Sequence, residues 1–252
     1  MPLVGTRSLT SLAAIAPVVP SLEADRWELP GARILQLMYE IDASGMTSLI
    51  PPALHPTIPP TVVFSVTSFP ESPAGTFVLG EVRVGARSGA RPRGLLLQAY
   101  VSTPEAAREL GTRWGYPVKV GDCRLEKRYD RIQGTVQADG KTVLDITLLN
   151  PEPISGNDVQ YLASLNLARI TRDGAEQIRL IQVDPDFMFK SADRGQPQLG
   201  AFEPAAWQLD GAIPNHAVSA SCCVADISMP ALRYLVDPDK PPLTAVERLG
   251  AS

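Results

Sequence analysis

A carboxylate and a guanidinium two residues apart on a strand-like stretch are the first chemistry this sequence offers. Residues 76–84 (TFVLGEVRV) alternate with period two, so Phe77, Leu79, Glu81 and Arg83 share one face and Val78, Gly80, Val82 and Val84 the other. An acid and a cation beside apolar side chains are what a polar constellation inside an apolar pocket looks like. There Glu81 would give or take a proton and Arg83 would hold a carboxylate or an enolate. The same pattern also fits an edge position where a strand emerges into water. A second stretch, Trp114-Gly115-Tyr116-Pro117-Val118-Lys119-Val120-Gly121, adds a phenol at Tyr116 and an amine at Lys119.

Strands and one well-signalled helix must position these groups. Residues 33–41 (RILQLMYEI) place Leu35, Leu37, Tyr39 and Ile41 on one face of a strand. Asp42 is suited to cap a short helical turn that ends before Pro51-Pro52. Residues 61–69 are β-branched and aromatic, and residues 94–101 are almost continuously apolar, so both read as strands. Thr103-Pro104-Glu105 then supplies an N-cap, a proline at the first helical position and an acid in the first turn. That helix runs to about Trp114, with Gly115 as a left-handed terminator, so Tyr116 and Lys119 hang from a helix end.

Asp139-Gly140 joins residues 132–138 to 142–149, and Asp173-Gly174 joins 161–171 to 177–183, as two type I′ hairpins. Residues 184–215, rich in proline and glycine, read as irregular. Residues 217–227 read as a last strand and 231–236 as a short closing helix. The fold class expected is α+β and strand-dominated: a large antiparallel sheet, closed or nearly closed into a barrel, with a few short helices. Residues 1–30 read as an extended arm packed on the domain or on a neighbouring subunit, 31–237 as a single domain and 238–252 as an extended tail.

The bulk of the sequence excludes several functions. With 20% charged residues and a net charge of −4, no basic face for nucleic acid is expected. Arg83, Arg87, Arg91 and Arg93 form the one basic cluster and read as a solvated strand-and-loop rim. Cys123, Cys222 and Cys223 have no ligand-like spacing, and adjacent strand residues point to opposite faces. They suit a reduced, cytoplasmic setting. His55 and His216 are the only histidines, which leaves no histidine-rich metal site. No metal, nucleotide or flavin motif appears, so no cofactor is expected. The apolar run at residues 9–19 is broken by Pro17 and Pro20 and is too short to span a bilayer, so no membrane partner is expected.

Three blocks resemble the acetoacetate decarboxylase superfamily. LMYEIDASGMTSLIPPAL at 37–54 is similar to the family's strand, short helix and Pro-x-x-Leu exit. Residues 99–134, with GYPVKVG and a later Gly-Thr strand, match in order, and SASCCVADISMPALRYL at 219–235 resembles the closing Ala-Asp-Ile-x-x-Pro segment. The resemblance implies a cone-shaped β-barrel with an internal pocket, assembled into homo-oligomers. It also implies a lysine that forms an imine with a keto substrate, and the imine acts as the electron sink for loss of CO2.

Carried over by position, Tyr116 and Pro117 match, but Val118 stands where the imine-forming lysine belongs. Lys119 corresponds to a second lysine of the family, and Glu81 falls where its active-site glutamate is expected. The family's substrate-binding arginine aligns with Ala32, one residue before Arg33, and a one-residue shift on a strand reverses the face. If Val118 points into the pocket, Lys119 in extended backbone points away from it.

Three readings follow. The first is a lyase-type or cyclase-type enzyme acting on a small oxo acid or related carbonyl compound by acid–base chemistry. Glu81 would move the proton, Arg33 or Arg83 would bind the carboxylate and Tyr116 would lend its hydroxyl, with Val118 lining the pocket. The second is a non-catalytic small-molecule-binding or structural relative. The third is a Schiff-base decarboxylase or aldolase-dehydratase using a displaced Lys119. A buried acid is costly unless paired or useful, so the surroundings of Glu81 discriminate between the first two.

Overall fold

Period-two alternation shapes most of this chain, and its strands run longer than their apolar cores suggest. The structure, a computed structural model, describes residues 3–89, 91–172 and 174–249, with residues 43 and 44 given by their backbone alone. A short helix α1 (Leu9–Ala13) and strand β1 (Val18–Val19) precede β2 (Trp27–Ile41). Next come α2 (Ala43–Leu49), β3 (His55–Pro56), β4 (Thr61–Phe69), β5 (Phe77–Arg87) and β6 (Pro92–Val101). Helix α3 (Pro104–Trp114) leads to β7 (Val118–Val120), β8 (Asp122–Lys127), β9 (Arg131–Ala138) and β10 (Lys141–Ile154). The chain closes with β11 (Ser164–Arg172), β12 (Ala175–Val183), β13 (Asp186–Phe202), β14 (Pro214–Met229), β15 (Tyr234–Val236) and β16 (Val246–Arg248).

These strands form one sheet in the order β16-β15-β12-β11-β6-β5-β4-β2-β14-β13-β10-β9-β8, with β1, β3 and β7 attached at its sides. The pairing path ends at β8 and β16 without joining them, so the expected closure into a barrel is not found among the described residues. Pairing is antiparallel except where β1 meets β11, β11 meets β6 and β6 meets β7. The sheet curls enough to bury both faces. One face brings Leu35, Leu37, Phe64, Val66, Val82 and Val84 against Ile132, Val136 and Leu144 of β9 and β10. The other, inner face gathers Ile34, Leu79, Ala99 and Ile227 under Leu110, Trp114 and Tyr116. Cys222 belongs to the first core and Cys223 to the second, as strand alternation requires.

Two expectations are overturned. Residues 184–215 are not irregular: 17 of them form β13, hydrogen-bonded to β10 on one side and β14 on the other. Gly195, Pro197 and Gly200 looked like breakers, but they lie beyond Arg194, where β13 pairs with β10 alone; register shifts fall at the two glycines, and a segment free on one side tolerates a proline. Residues 231–236 form no helix. Leu235 and Val236 instead pair with β12 and with β16, burying both side chains in the sheet rather than along a helical stripe. The stretch expected to be an extended arm carries α1 and β1, and buried Leu12 and Val19 pack it onto its own chain. β2 begins within that stretch, at Trp27.

Helix α3 follows its sequence signals closely. Thr103 is the N-cap, its hydroxyl accepting from the Ala106 N–H at 3.3 Å, and Gly115 ends the helix at φ 65°. The Asp139-Gly140 turn has both residues at positive φ, as a type I′ hairpin requires. The second turn includes Asp173, which lies outside the described residues; its flanks pair as expected, Arg172 with Ala175. A Cβ at Gly115 would come within 2.9 Å of Ile181 Cδ1 and 3.0 Å of Ala168 Cβ, whereas one at Gly140 would meet nothing within 4 Å. Gly115→Ala is therefore expected to cost about 3 kcal/mol, from left-handed strain plus overpacking, and Gly140→Ala about 1 kcal/mol from strain alone. Equilibrium urea unfolding of both variants measures the difference.

Candidate active site

Glu81 and Arg83 lie on the inner face of β5, next to an irregularity in its pairing with β6. Their side chains are 2% and 1% exposed. The guanidinium Nη2 stands 3.7 Å from Glu81 Oε2, close enough for charge attraction but too far for a hydrogen bond. Ser65, directly across on β4, bridges them at long range. Its hydroxyl donates to Glu81 Oε2 at 3.5 Å and accepts from Arg83 Nη2 at 3.4 Å. Arg83 Nη1 donates to the Leu162 carbonyl at 2.6 Å, and the guanidinium lies 4.6 Å from the centre of the Tyr161 ring. Glu81 Oε1 and Arg83 Nε are left without partners.

Tyr116, buried directly after the α3 terminator, completes the group. Glu81, Tyr116 and Tyr161 line a cavity walled by apolar residues including Ile34, Leu79 and Ile227. The space open to water centres is about 20 Å³, room for roughly one water. Burial raises the Tyr116 hydroxyl well above the usual phenol range, and the nearby Glu81 and Tyr161 push it further. Burial likewise pushes Tyr161 up to about 12, although Arg83 pulls against it. For Arg83 burial works to lower the pKa, but Glu81, Tyr161 and Tyr116 outweigh it and the net direction is upward. The site therefore holds a fixed cation and two neutral phenols able to donate hydrogen bonds.

Of the residues singled out from sequence, Glu81, Arg83 and Tyr116 are brought together. Val118 is half-buried and packs against the inner core, away from the cavity lining. Lys119, its neighbour on β7, is exposed. Arg33 is exposed as well, while Ala32 and Ile34 on either side of it are buried in the inner core. All five lysines of the chain are exposed. The four-arginine rim is corrected: Arg83 and Arg93 are buried, Arg93 in a bidentate pair with Asp184 at 2.9 and 3.0 Å.

Sequence reasoning missed Ser65, Tyr161 and the carbonyl of Leu162. Ser65 was legible in principle, since Ser65 and Thr67 are polar residues alternating with Phe64 and Val66 in β4. The strand expected from Tyr161 onward starts only at Ser164, so Tyr161 lies in the loop that crosses the inner face. Nothing in the local sequence marks that loop as a cover for Arg83.

The architecture is that of a strand-dominated α+β protein with a buried, incompletely paired carboxylate at the centre of its inner face. A family model described as acetoacetate decarboxylase (ADC) matches residues 15–238, and the chain belongs to that family. Among solved structures, acetoacetate decarboxylase from Legionella pneumophila subsp. pneumophila str. Philadelphia 1 is 18% identical, with a TM-score of 0.71 over 83% of this chain and 86% of that one. The enduracididine biosynthesis enzyme MppR, complexed with the condensation product of pyruvate and imidazole 4-carboxaldehyde, is 15% identical. Its TM-score is 0.69, over 95% of this chain and 99% of that one. An acetoacetate decarboxylase-like enzyme from Sphingomonas wittichii RW1 is 14% identical, with a TM-score of 0.66 over 91% and 98%. At these identities the likeness is one of fold. No curated protein matches the chain. Among the described residues, no helix is long and apolar enough to cross a membrane, and no cluster of three or more His, Cys, Asp or Glu side chains could hold a metal ion.

Two predictions follow from this geometry. Removing the cation should leave Glu81 buried and uncompensated, so Arg83→Met is expected to cost about 3–5 kcal/mol, with Glu81→Leu in the same chain restoring at least half of it. Urea unfolding of the two single variants and the double variant closes the cycle. Burial raises the thiols of Cys123 and Cys223 to about 12 and that of Cys222 to about 11. At pH 8 the thiolate fraction is then at most about one in a thousand, so the folded protein should resist iodoacetamide until it unfolds, read by intact mass.

Proposed function

We propose that this chain is a small-molecule enzyme of the acetoacetate decarboxylase family that acts on a small oxo acid or related carbonyl compound without forming an imine. The observation that carries this reading is the free oxygen of Glu81, enclosed beside Arg83 and Tyr116, with every lysine of the chain outside the cavity. Glu81 Oε1 takes a proton from the carbon next to the substrate carbonyl: the C–H bond breaks and its electron pair moves into an enolate. Arg83 Nε–H and the Tyr116 hydroxyl donate to the developing enolate oxygen, where preorganised donors lower the barrier. Returning the proton, or eliminating a leaving group from the enolate, gives the lyase-type or cyclase-type outcome. The ligands named for MppR, pyruvate and its condensation product, are of the substrate class this chemistry needs.

The alternative is a relative that binds small molecules without turnover. Two observations favour it: the Glu81–Arg83 ion pair, and a cavity that admits about one water. A Lys119 imine would require that exposed amine to reach the opposite side of β7. The same reading includes a reduced, cytoplasmic setting, supported by three unpaired buried cysteines. It also includes assembly of identical copies, for which exposed Met188, Ile213 and Val218 offer apolar surface.

Deuterium exchange at the methyl of pyruvate and at C3 of 2-oxobutanoate, followed by proton NMR in D2O, tests the proposal. The protein should accelerate exchange, Glu81→Gln should reduce the acceleration about 100-fold or more, and Lys119→Ala should leave it unchanged. Borohydride treatment with either compound should add no mass. A trapped adduct that disappears in Lys119→Ala would restore imine chemistry, whereas exchange no faster than in buffer would favour the non-catalytic relative.

A further inference from the structure

A polar row crosses the inner face of the sheet and extends well beyond the Glu81 cavity. Arg194, Ser221, Gln36, Ser65 and Glu81 are successive cross-strand partners on β13, β14, β2, β4 and β5. Their chain neighbours Cys222, Leu35, Val66 and Val82 lie in the opposite core, which puts the row on the inner side. At its far end is a second, larger pocket of about 340 Å³, lined by Gln36, Asp158, Gln160, Arg194, Ser219 and Ser221 among others. Gln160 lines this pocket and Tyr161 the Glu81 cavity, so the chain passes between the two at that point.

Gln36 gives the row its chemical direction. It is 5% exposed, and its Nε2 donates to the Gln160 carbonyl at 2.7 Å. A carbonyl can only accept, so the amide orientation is fixed and Oε1 is the atom left over, without a partner. Gln36 Oε1, Glu81 Oε1 and Arg83 Nε are therefore three unpartnered polar atoms, two acceptors and one donor, on one stretch of the inner face. The crossing segment is held to that face by the same side chains, through Gln160 on Gln36 and Leu162 on Arg83. Native proteins rarely leave such atoms unsatisfied unless something else partners them.

We infer that this row is one continuous binding track, and that its ligand is an elongated oxo acid carrying a hydroxyl or amide N–H at the end distal to its carbonyl. The inference rests on Glu81 as the proton-transfer group. The carbonyl end occupies the Glu81 cavity and takes the Arg83 Nε–H. The distal donor reaches Gln36 Oε1 and the hydroxyl of Ser221. From Glu81 to Ser221 the row spans three strand spacings, roughly 14 Å, beyond the reach of pyruvate or acetoacetate. Entry lifts the backbone at Gln160–Leu162 and exchanges its hydrogen bonds for those of the ligand.

Calorimetric binding of 2-oxooctanoate, 8-hydroxy-2-oxooctanoate and 8-hydroxyoctanoate to the full chain and to Gln36→Met, Ser221→Ala and Glu81→Gln tests the track. The hydroxylated oxo acid should bind about tenfold more tightly than 2-oxooctanoate. That advantage should disappear in Gln36→Met and shrink several-fold in Ser221→Ala, whose half-buried site tolerates the change if Gln36→Met fails to fold. Equal, Glu81-dependent binding of the two oxo acids would overturn the track and leave the role of Glu81 standing. Gln36-dependent binding of 8-hydroxyoctanoate that matches its oxo counterpart and ignores Glu81→Gln would support the track and sink the carbonyl chemistry. No binding of any of the three at millimolar concentration would overturn both.

Discussion

The burial of two opposite charges on one face of β5 is the constraint around which the inner half of this protein is arranged. Each ion loses several kcal/mol of hydration on leaving water, and mutual attraction offsets that only with good geometry and further hydrogen bonds. At 3.7 Å, Glu81 and Arg83 have the attraction without the hydrogen bond. The remaining solvation of Arg83 comes from the loop that crosses the face: the Leu162 carbonyl takes one N–H, and the Tyr161 ring covers the plane. The loop between β10 and β11 is thus tied to the charge it covers. Phe187 packs on Tyr161 and stacks with Phe189, which extends that cover into β13.

The other half of the site depends on where a helix stops. The left-handed step at Gly115 turns the chain out of α3 so that Tyr116 enters the inner core and Pro117 presents its carbonyl to Gln98 and to the Ala99 N–H. From there β7 runs beside β6 in extended backbone, which puts Val118 and Lys119 on opposite sides of the strand. Val118 faces the core, so Lys119 is exposed. The same alternation on β2 buries Ala32 and Ile34 and exposes Arg33 between them. The amine of Lys119 and the guanidinium of Arg33 are thereby left outside the inner core.

How much of this was legible follows from the range of each interaction. Helix α3, β4 and the Asp139-Gly140 turn were readable because caps, β-branching and paired positive φ act within a few residues. The shared face of Glu81 and Arg83 followed from strand alternation, whereas only a family resemblance linked Tyr116 to them. β13 was missed because its stability lies in hydrogen bonds to β10 and β14, which no local pattern reports, and its proline and two glycines argued the other way. The cover over Arg83 was missed for a related reason. Arg83 and Leu162 are 79 residues apart, and a backbone carbonyl as partner leaves no trace in residue type.

The chemical consequence concerns the depth of the electron sink. A protonated imine accepts the electrons of a departing carboxylate into a cationic nitrogen, and none of the chain's five lysines lies in the interior to form one. What stays in the interior is a guanidinium and a neutral phenol, each a hydrogen-bond donor to an oxygen that becomes negative. A preorganised donor of this kind is worth about 3–4 kcal/mol in a transition state, so two of them stabilise an enolate substantially but do not make a covalent sink. Such a site is better matched to proton abstraction next to a carbonyl, with elimination or ring closure from the enolate, than to the loss of CO2 from a β-oxo acid. The carboxylate that shares this interior is Glu81, whose Oε1 has no hydrogen-bond partner.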